Sequence, residues 1–191
     1  NNIPDEVLPN EYEGRRDLRS EEIFTIDGDD TKDIDDAVSI KKLDNGNYKL
    51  GVHIADVSYY VKENTKLDDE AFERGTSVYL ADRVIPMLPH KLSNGICSLN
   101  PNVDRLAISC EMEIDNNGNV VSYDIFESVI KSNIQMTYNK VNKFLEENII
   151  CEGYEKYTNS LTLMKELADI LRKNKIKRGY IDFDLDEAKI I

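Results

Sequence analysis

Apolar and polar residues alternate strictly in two stretches of this chain, and each stretch reads as a β-hairpin. In the first, Tyr48, Leu50, Val52 and Ile54 alternate with Asn47, Lys49, Gly51 and His53. Asn45-Gly46 supplies a tight turn back to residues 37–43. In the second, Leu106, Ile108, Cys110, Met112 and Ile114 share one face, and Ala107, Ser109, Glu111 and Glu113 share the other. Asn116-Asn117-Gly118 then turns the chain into a strand over 120–134. Cys110, on the apolar face, reads as a small buried hydrophobe. Helical patterns fill the gaps. A short helix over 68–75 ends at its glycine, and Thr137 caps a helix over 138–147. The longest helix spans about 154–177, with Leu161, Met164, Leu167, Ala168 and Leu171 as its core stripe. Arg172, Lys173, Lys175, Lys177 and Arg178 crowd its C-terminal end, where the helix dipole favours cations; a phosphate-backbone contact is the alternative. Residues 180–185 read as a further strand. The predicted class is α+β, a mostly antiparallel sheet with packed helices.

Between two of the apolar runs the pattern breaks abruptly. Ile23-Phe24-Thr25-Ile26 and Ala37-Val38-Ser39-Ile40 bracket six aspartates in ten residues: Asp27, Asp29, Asp30, Asp33, Asp35 and Asp36. Strands on both sides draw these carboxylates toward the body of the fold. Two carboxylates about 5 Å apart repel by roughly 3 kcal/mol at an effective dielectric near 20. Crowding several is therefore costly without a cation. An all-oxygen donor set suits Mg²⁺, Mn²⁺ or Ca²⁺ and argues against a soft metal.

The remaining composition sets bounds. A length of 191 residues predicts one domain with a real core, and 40% apolar and 32% charged residues are ordinary for a globular chain. No apolar run is long enough to span a bilayer, so no membrane partner is expected. Residues 1–22 are polar, with Pro4, Pro9 and Gly14, and read as a linker or extended arm ahead of the domain over 23–191. The opening Asn1-Asn2-Ile3-Pro4 carries no signal pattern and reads as the start of a piece of a longer protein. Three cysteines, Cys97, Cys110 and Cys151, are odd in number and widely spaced, which fits reduced thiols in a cytoplasmic setting. The net charge of −13 weighs against a nucleic-acid partner, but the aspartate cluster supplies about half of it.

Three specific readings compete with a solvated acidic loop. An EF-hand fits poorly, because its sixth position is Lys32 rather than Gly and its twelfth is Val38 rather than Glu. A haloacid-dehalogenase-like phosphatase shares Asp27-Gly28-Asp29-Asp30-Thr31 but needs alternating strands and helices, where hairpins follow here. A metal-dependent nuclease needs several carboxylates converging on a metal pair, which a strand end and a six-residue loop can supply.

Residues 25–38, from Thr25-Ile26-Asp27 to Asp36-Ala37-Val38, closely resemble the signature of the ribonuclease II/R (RNB) catalytic-domain family, on its bacterial ribonuclease R branch. The resemblance continues through Val52-His53-Ile54-Ala55-Asp56, Arg74-Gly75-Thr76-Ser77-Val78-Tyr79 and Val84-Ile85-Pro86. It returns in Leu92-Ser93-Asn94-Gly95-Ile96-Cys97-Ser98-Leu99-Asn100-Pro101 and Asp104-Arg105-Leu106. It implies a processive 3′-to-5′ exoribonuclease that hydrolyses single-stranded RNA to nucleoside 5′-monophosphates with Mg²⁺, Mn²⁺ being able to substitute. By the same resemblance Asp27, Asp33 and Asp36 bind metal, and Asp35 positions the 3′-terminal nucleotide through its ribose. Tyr79 stacks on a base near the 3′ end, Phe183 completes that clamp, and Tyr138 lies near the ribose. Without the resemblance, Tyr79 and Phe183 read as core aromatics. His53 reads as a structural hydrogen-bonding group, and Asp29 and Asp30 as loop surface. The family's downstream arginine-bearing motif and its flanking oligonucleotide-binding and S1-like modules have no counterpart here. The isolated chain is therefore expected to be weak or inactive, and a metal- or RNA-binding scaffold stays open as the alternative.

Overall fold

A computed structural model describes residues 3–80 and 83–181. Nine strands and four α-helices are found among them: β1 (Arg16–Asp17), β2 (Phe24–Asp27), β3 (Asp36–Lys42), β4 (Tyr48–Ala55), α1 (Val57–Tyr60), α2 (Lys66–Arg74), β5 (Val78–Tyr79), β6 (Val84–Ile85), β7 (Asp104–Ile114), β8 (Val120–Lys131), β9 (Ile134–Thr137), α3 (Tyr138–Glu147) and α4 (Thr158–Lys177). Seven strands form one sheet in the order β1-β8-β7-β4-β3-β2-β9, and β5 pairs with β6 apart from it. The pairs β2–β3, β3–β4, β4–β7 and β7–β8 are antiparallel, whereas β1–β8 and β2–β9 are parallel. The α+β class expected from the pattern is the one observed.

Connectivity forces this sheet to curl. β8 ends at Lys131 and β9 begins at Ile134, three peptide steps later, which span at most about 11 Å. Yet four strands lie between β8 and β9 in the sheet, a separation of about 24 Å if the sheet were flat. The two ends must bend toward each other. Asn133 makes the join: its amide donates to the Ile23 carbonyl at 2.7 Å, and its side-chain oxygen accepts the Ile23 amide at 2.9 Å. The single strand expected over 120–134 is thus broken so that its last residues can pair with β2.

Curling decides what each face can hold. The apolar face of both hairpins is the outer one. There Tyr48, Ile114 and Leu167 are buried, with Leu50, Met112, Leu163, Ile170 and Leu171 against them. The inner face has little room and carries small residues instead: Ala37, Ala55 and Ala107 pack with Leu18, Ile23, Ile34, Leu99 and Ile130. His53 lies buried in this layer, bonded through Nδ1 to Ser109 Oγ at 2.7 Å and through Nε2 to Ser39 Oγ at 3.1 Å. Its role is the structural one expected.

Several local expectations need correction. Ile54 is 46% exposed, because α4 covers the other end of β4. Cys110 is only half-buried, at a level of the sheet that the helix does not reach. Ala168 is exposed, the helix stripe passing through Leu161, Met164, Leu167 and Leu171. α4 itself starts at Thr158, after a 3-10 turn over Glu155–Tyr157. α2 starts at Lys66, two residues before the expected 68, because Thr65 caps it, while Gly75 closes it at φ 67° as expected; α3 matches at both ends, with Thr137 Oγ1 accepting from Lys140 N. The opening segment is an arm laid against the sheet. Val7 and Leu18 are buried, and Arg15 pairs with Asp56 at 2.6 Å, both side chains 3% exposed. Most of the strand read over 180–185, with Phe183, lies outside the described residues.

Candidate functional site

The six aspartates occupy one end of the sheet. Asp27 closes β2 and lies opposite Thr137 of β9; Asp36 opens β3 opposite Ile54. The loop between them folds back because Ile34 plugs the core, 0% exposed, with Leu99 and Ala55 as neighbours in its cluster. Its flanking backbone is tied down as well: Leu99 N donates to Ile34 O and Ala55 N to Asp35 O, both at 2.9 Å. An apolar anchor in an acidic loop is what holds the carboxylates at the rim rather than leaving them to spread into solvent.

Burial first, and their mutual repulsion after it, act on two of them. The Asp27 carboxyl is raised above the ordinary range by desolvation and by the charges of Asp36 and Asp33. The Asp35 carboxyl is raised by desolvation and by Asp33, Asp36 and Asp27. Asp27, Asp33, Asp35 and Asp36 therefore form one electrostatic cluster. Asp27 Oδ2 is buried with no hydrogen-bond partner, an orphaned acceptor of the kind a cation satisfies. Asp29 and Asp30 are exposed, and Asp29 accepts from Asn139 Nδ2 at 2.6 Å. The all-oxygen donor set and the orphaned oxygen fit a hard divalent cation. Among the described residues, however, no group of three His, Cys, Asp or Glu side chains is closed tightly enough to hold an ion as it stands.

Tyr79 reaches this cluster from β5. Its hydroxyl donates to Asp33 Oδ2 at 3.2 Å, and its ring is 67% exposed, so it is not a core aromatic. The charge of Asp33 and partial desolvation raise its phenol above the usual range. Tyr79 and residues 28–33 of the loop line an open cleft of about 800 Å³ together with Ser77, Pro86, His90 and Asn94; Asp33 is the member of the four-carboxylate cluster that lines it. Tyr138 begins α3, one residue after the partner of Asp27, and is exposed. Three residues that the sequence did not single out also hold the loop. Gln135 Nε2 donates to Thr31 O at 3.1 Å, Asn139 binds Asp29, and Ser98 Oγ donates to Lys32 O at 2.8 Å. Their signal is purely spatial, since each is distant in sequence and ordinary in type.

A carboxylate-rimmed cleft at one end of a curled mixed sheet defines the class. Residues 15–191 match the RNB domain, and the chain belongs to that family. Among its relatives, ribonuclease R 1 of Lactococcus lactis is 57% identical over 190 residues, covering 99% of this chain and 23% of its own length. Ribonuclease R of Thermotoga maritima is 57% identical over 192 residues, covering 100% and 27%. The structure of Mycoplasma genitalium RNase R in complex with ribose methylated single-stranded RNA superimposes with a TM-score of 0.87 at 36% identity, covering 93% of this chain and 28% of that one. The chain thus spans about a quarter of the length of the relatives it matches.

Proposed function

We propose that this chain is the N-terminal part, over 23–191, of the catalytic domain of a 3′-to-5′ exoribonuclease that hydrolyses single-stranded RNA to nucleoside 5′-monophosphates. The observation that carries the reading is the meeting of Asp27, Asp33, Asp35 and Asp36 at one rim, with an aromatic hydroxyl on Asp33. Asp27, Asp33 and Asp36 would hold Mg²⁺, or Mn²⁺ in its place. Bound there, the cation supplies a water of lowered pKa and neutralises charge on the scissile phosphate. Asp35 fixes the ribose of the terminal nucleotide. The exposed face of Tyr79 is free to stack on a base, an interaction of about 1–3 kcal/mol that tolerates any sequence. Tyr138, one residue beyond the strand partner of Asp27, would lie near the ribose, where the 2′-hydroxyl separates RNA from DNA. Phe183 would complete the stacking clamp from outside the described residues.

Relatives about four times longer support a division of labour. Grip on RNA would come from oligonucleotide-binding and S1-like modules, and a downstream arginine would stabilise the reacting phosphate. Losing one such preorganised donor costs about 10²–10³ in rate. The 191-residue chain is therefore expected to release almost no mononucleotide from labelled single-stranded RNA with Mg²⁺. Robust release would overturn the division of labour. In the longer polypeptide, Asp35→Asn is expected to abolish hydrolysis while RNA still binds; unchanged hydrolysis would reject the proposed site.

A further inference from the structure

One buried hydroxyl brackets Asp33. Ser98, 0% exposed, donates from Oγ to the carbonyl of Lys32 at 2.8 Å and accepts at the same oxygen from the amide of Ile34 at 3.0 Å. Both peptide units flanking Asp33 are thus fixed by a single atom. That atom is itself held. The Ser98 carbonyl accepts from Arg105 Nε at 2.8 Å, and the buried Arg105 guanidinium also donates through Nη1 to the Asp104 carbonyl at 2.9 Å. The Ser98 amide donates to Gly95 O at 3.1 Å, and Leu99 N donates to Ile34 O. The chain of contacts runs from Arg105 on β7, through Ser98, to the backbone of Asp33, and on through the Asp33 carboxylate to Tyr79.

We infer that Ser98 is a positioning residue for the acidic site: its hydroxyl sets the direction of the Asp33 carboxylate, and with it the fit of the aspartate cluster to a divalent cation. The inference rests on the reading of that cluster as the metal site. Asp33 is the sixth residue of the eight-residue connection from β2 to β3. Without a bracket, its backbone would be free to turn its carboxylate away from a cluster that repels it. Serine is the residue type that can do this here, because one small hydroxyl both donates and accepts. Alanine would leave the Lys32 carbonyl and the Ile34 amide unpaired at a dry position, and the loop would relax to find other partners. Groups that orient a ligand in this way typically change metal affinity by about 10–100-fold when removed.

The test is Mn²⁺ binding to the 191-residue chain, followed by calorimetry well below the melting temperature, for four variants. Ser98→Ala is expected to weaken binding at least about tenfold. Ser98→Thr keeps the hydroxyl but adds a methyl group to a packed site, so it should lower the melting temperature while affinity stays within about threefold of the parent. Ile114→Val, at the far end of the sheet, provides destabilisation with no change in affinity. Asp33→Asn reports on the metal site itself. Affinity that follows the hydroxyl and not the melting temperature supports the assignment. Equal losses in Ser98→Ala and Ser98→Thr would assign the effect to packing and overturn it. Parent-like affinity in Ser98→Ala, with binding lost in Asp33→Asn, would overturn it and leave the metal site standing. Binding that survives Asp33→Asn unchanged would remove the metal site and this inference together.

Discussion

Two buried polar groups show how much single residues carry. His53 is shut inside the curled sheet, and burial pushes its pKa down to about 4 from the ordinary 6.5. The unfolded chain takes up a proton near 6.5, and the folded chain resists until about 4. The unfolded state therefore binds more protons across that window, and stability falls as pH falls through it, by up to about 1.4 kcal/mol per pH unit. Urea titrations at pH 7 and pH 5 should show a smaller loss in His53→Gln than in the parent; an equal loss would remove His53 from the account. Gly51 has a matching constraint. A Cβ there would collide with Ser39 Oγ and with His53 Nε2, the two atoms that bond to each other above it. Gly51→Ala should cost about 1–3 kcal/mol in the same titrations. The Arg15–Asp56 pair is a second case. Asp56 also accepts from Ser58 Oγ at 2.9 Å and from Tyr59 N at 3.2 Å, so its side chain stays held in its buried place if its arginine is removed. Arg15→Met should destabilise by about 3–5 kcal/mol, and adding Asp56→Asn should recover part of that loss.

At the scale of elements, local chemistry and tertiary context divide cleanly. Both hairpins, their Asn-Gly turns, the glycine end of α2 and both ends of α3 were legible, because each depends on neighbours within a few residues. Gly75 is an instance: with φ 67° and open space around it, only its backbone conformation matters. Gly75→Ala should cost about 1 kcal/mol and leave Mn²⁺ binding unaltered, since nothing would press on the neighbouring chain. What was not legible followed from the curl. The pattern marked Ala107, Ser109, Gly51 and His53 as the polar side of their strands, and a flat sheet would have turned that side to water. Here it is the inside. The break between β8 and β9 and the docking of the arm through Leu18 arise from the same closure, which no window of a few residues contains. The aspartates were legible in number and spacing, whereas Ser98, Gln135 and Asn139 became visible only once distant segments met.

For the molecule as a whole, the acidic rim is a fault that a cation would correct. The chain carries a net charge of −13, and at the rim Asp27 and Asp35 have carboxyl pKa values raised above 3.8. A raised carboxyl means that the folded state binds more protons than the unfolded one between those values. This contribution is present below the ordinary pKa and is lost as pH rises through the raised one. At neutral pH the cation-free loop therefore works against folding. A cation that binds only the folded chain reverses this: at ten times its dissociation constant it adds about 1.4 kcal/mol, or about 3–5 °C in melting temperature for a chain of this size. MgCl₂ should thus raise the melting temperature at pH 7.5 beyond what NaCl of equal ionic strength does, because screening alone acts on all charges alike. Asp27→Asn removes one of the repelling charges, so it should raise the cation-free melting temperature and abolish the Mg²⁺ response together. A variant that melts lower than the parent and still responds to Mg²⁺ would show that repulsion at this rim is not what the cation relieves.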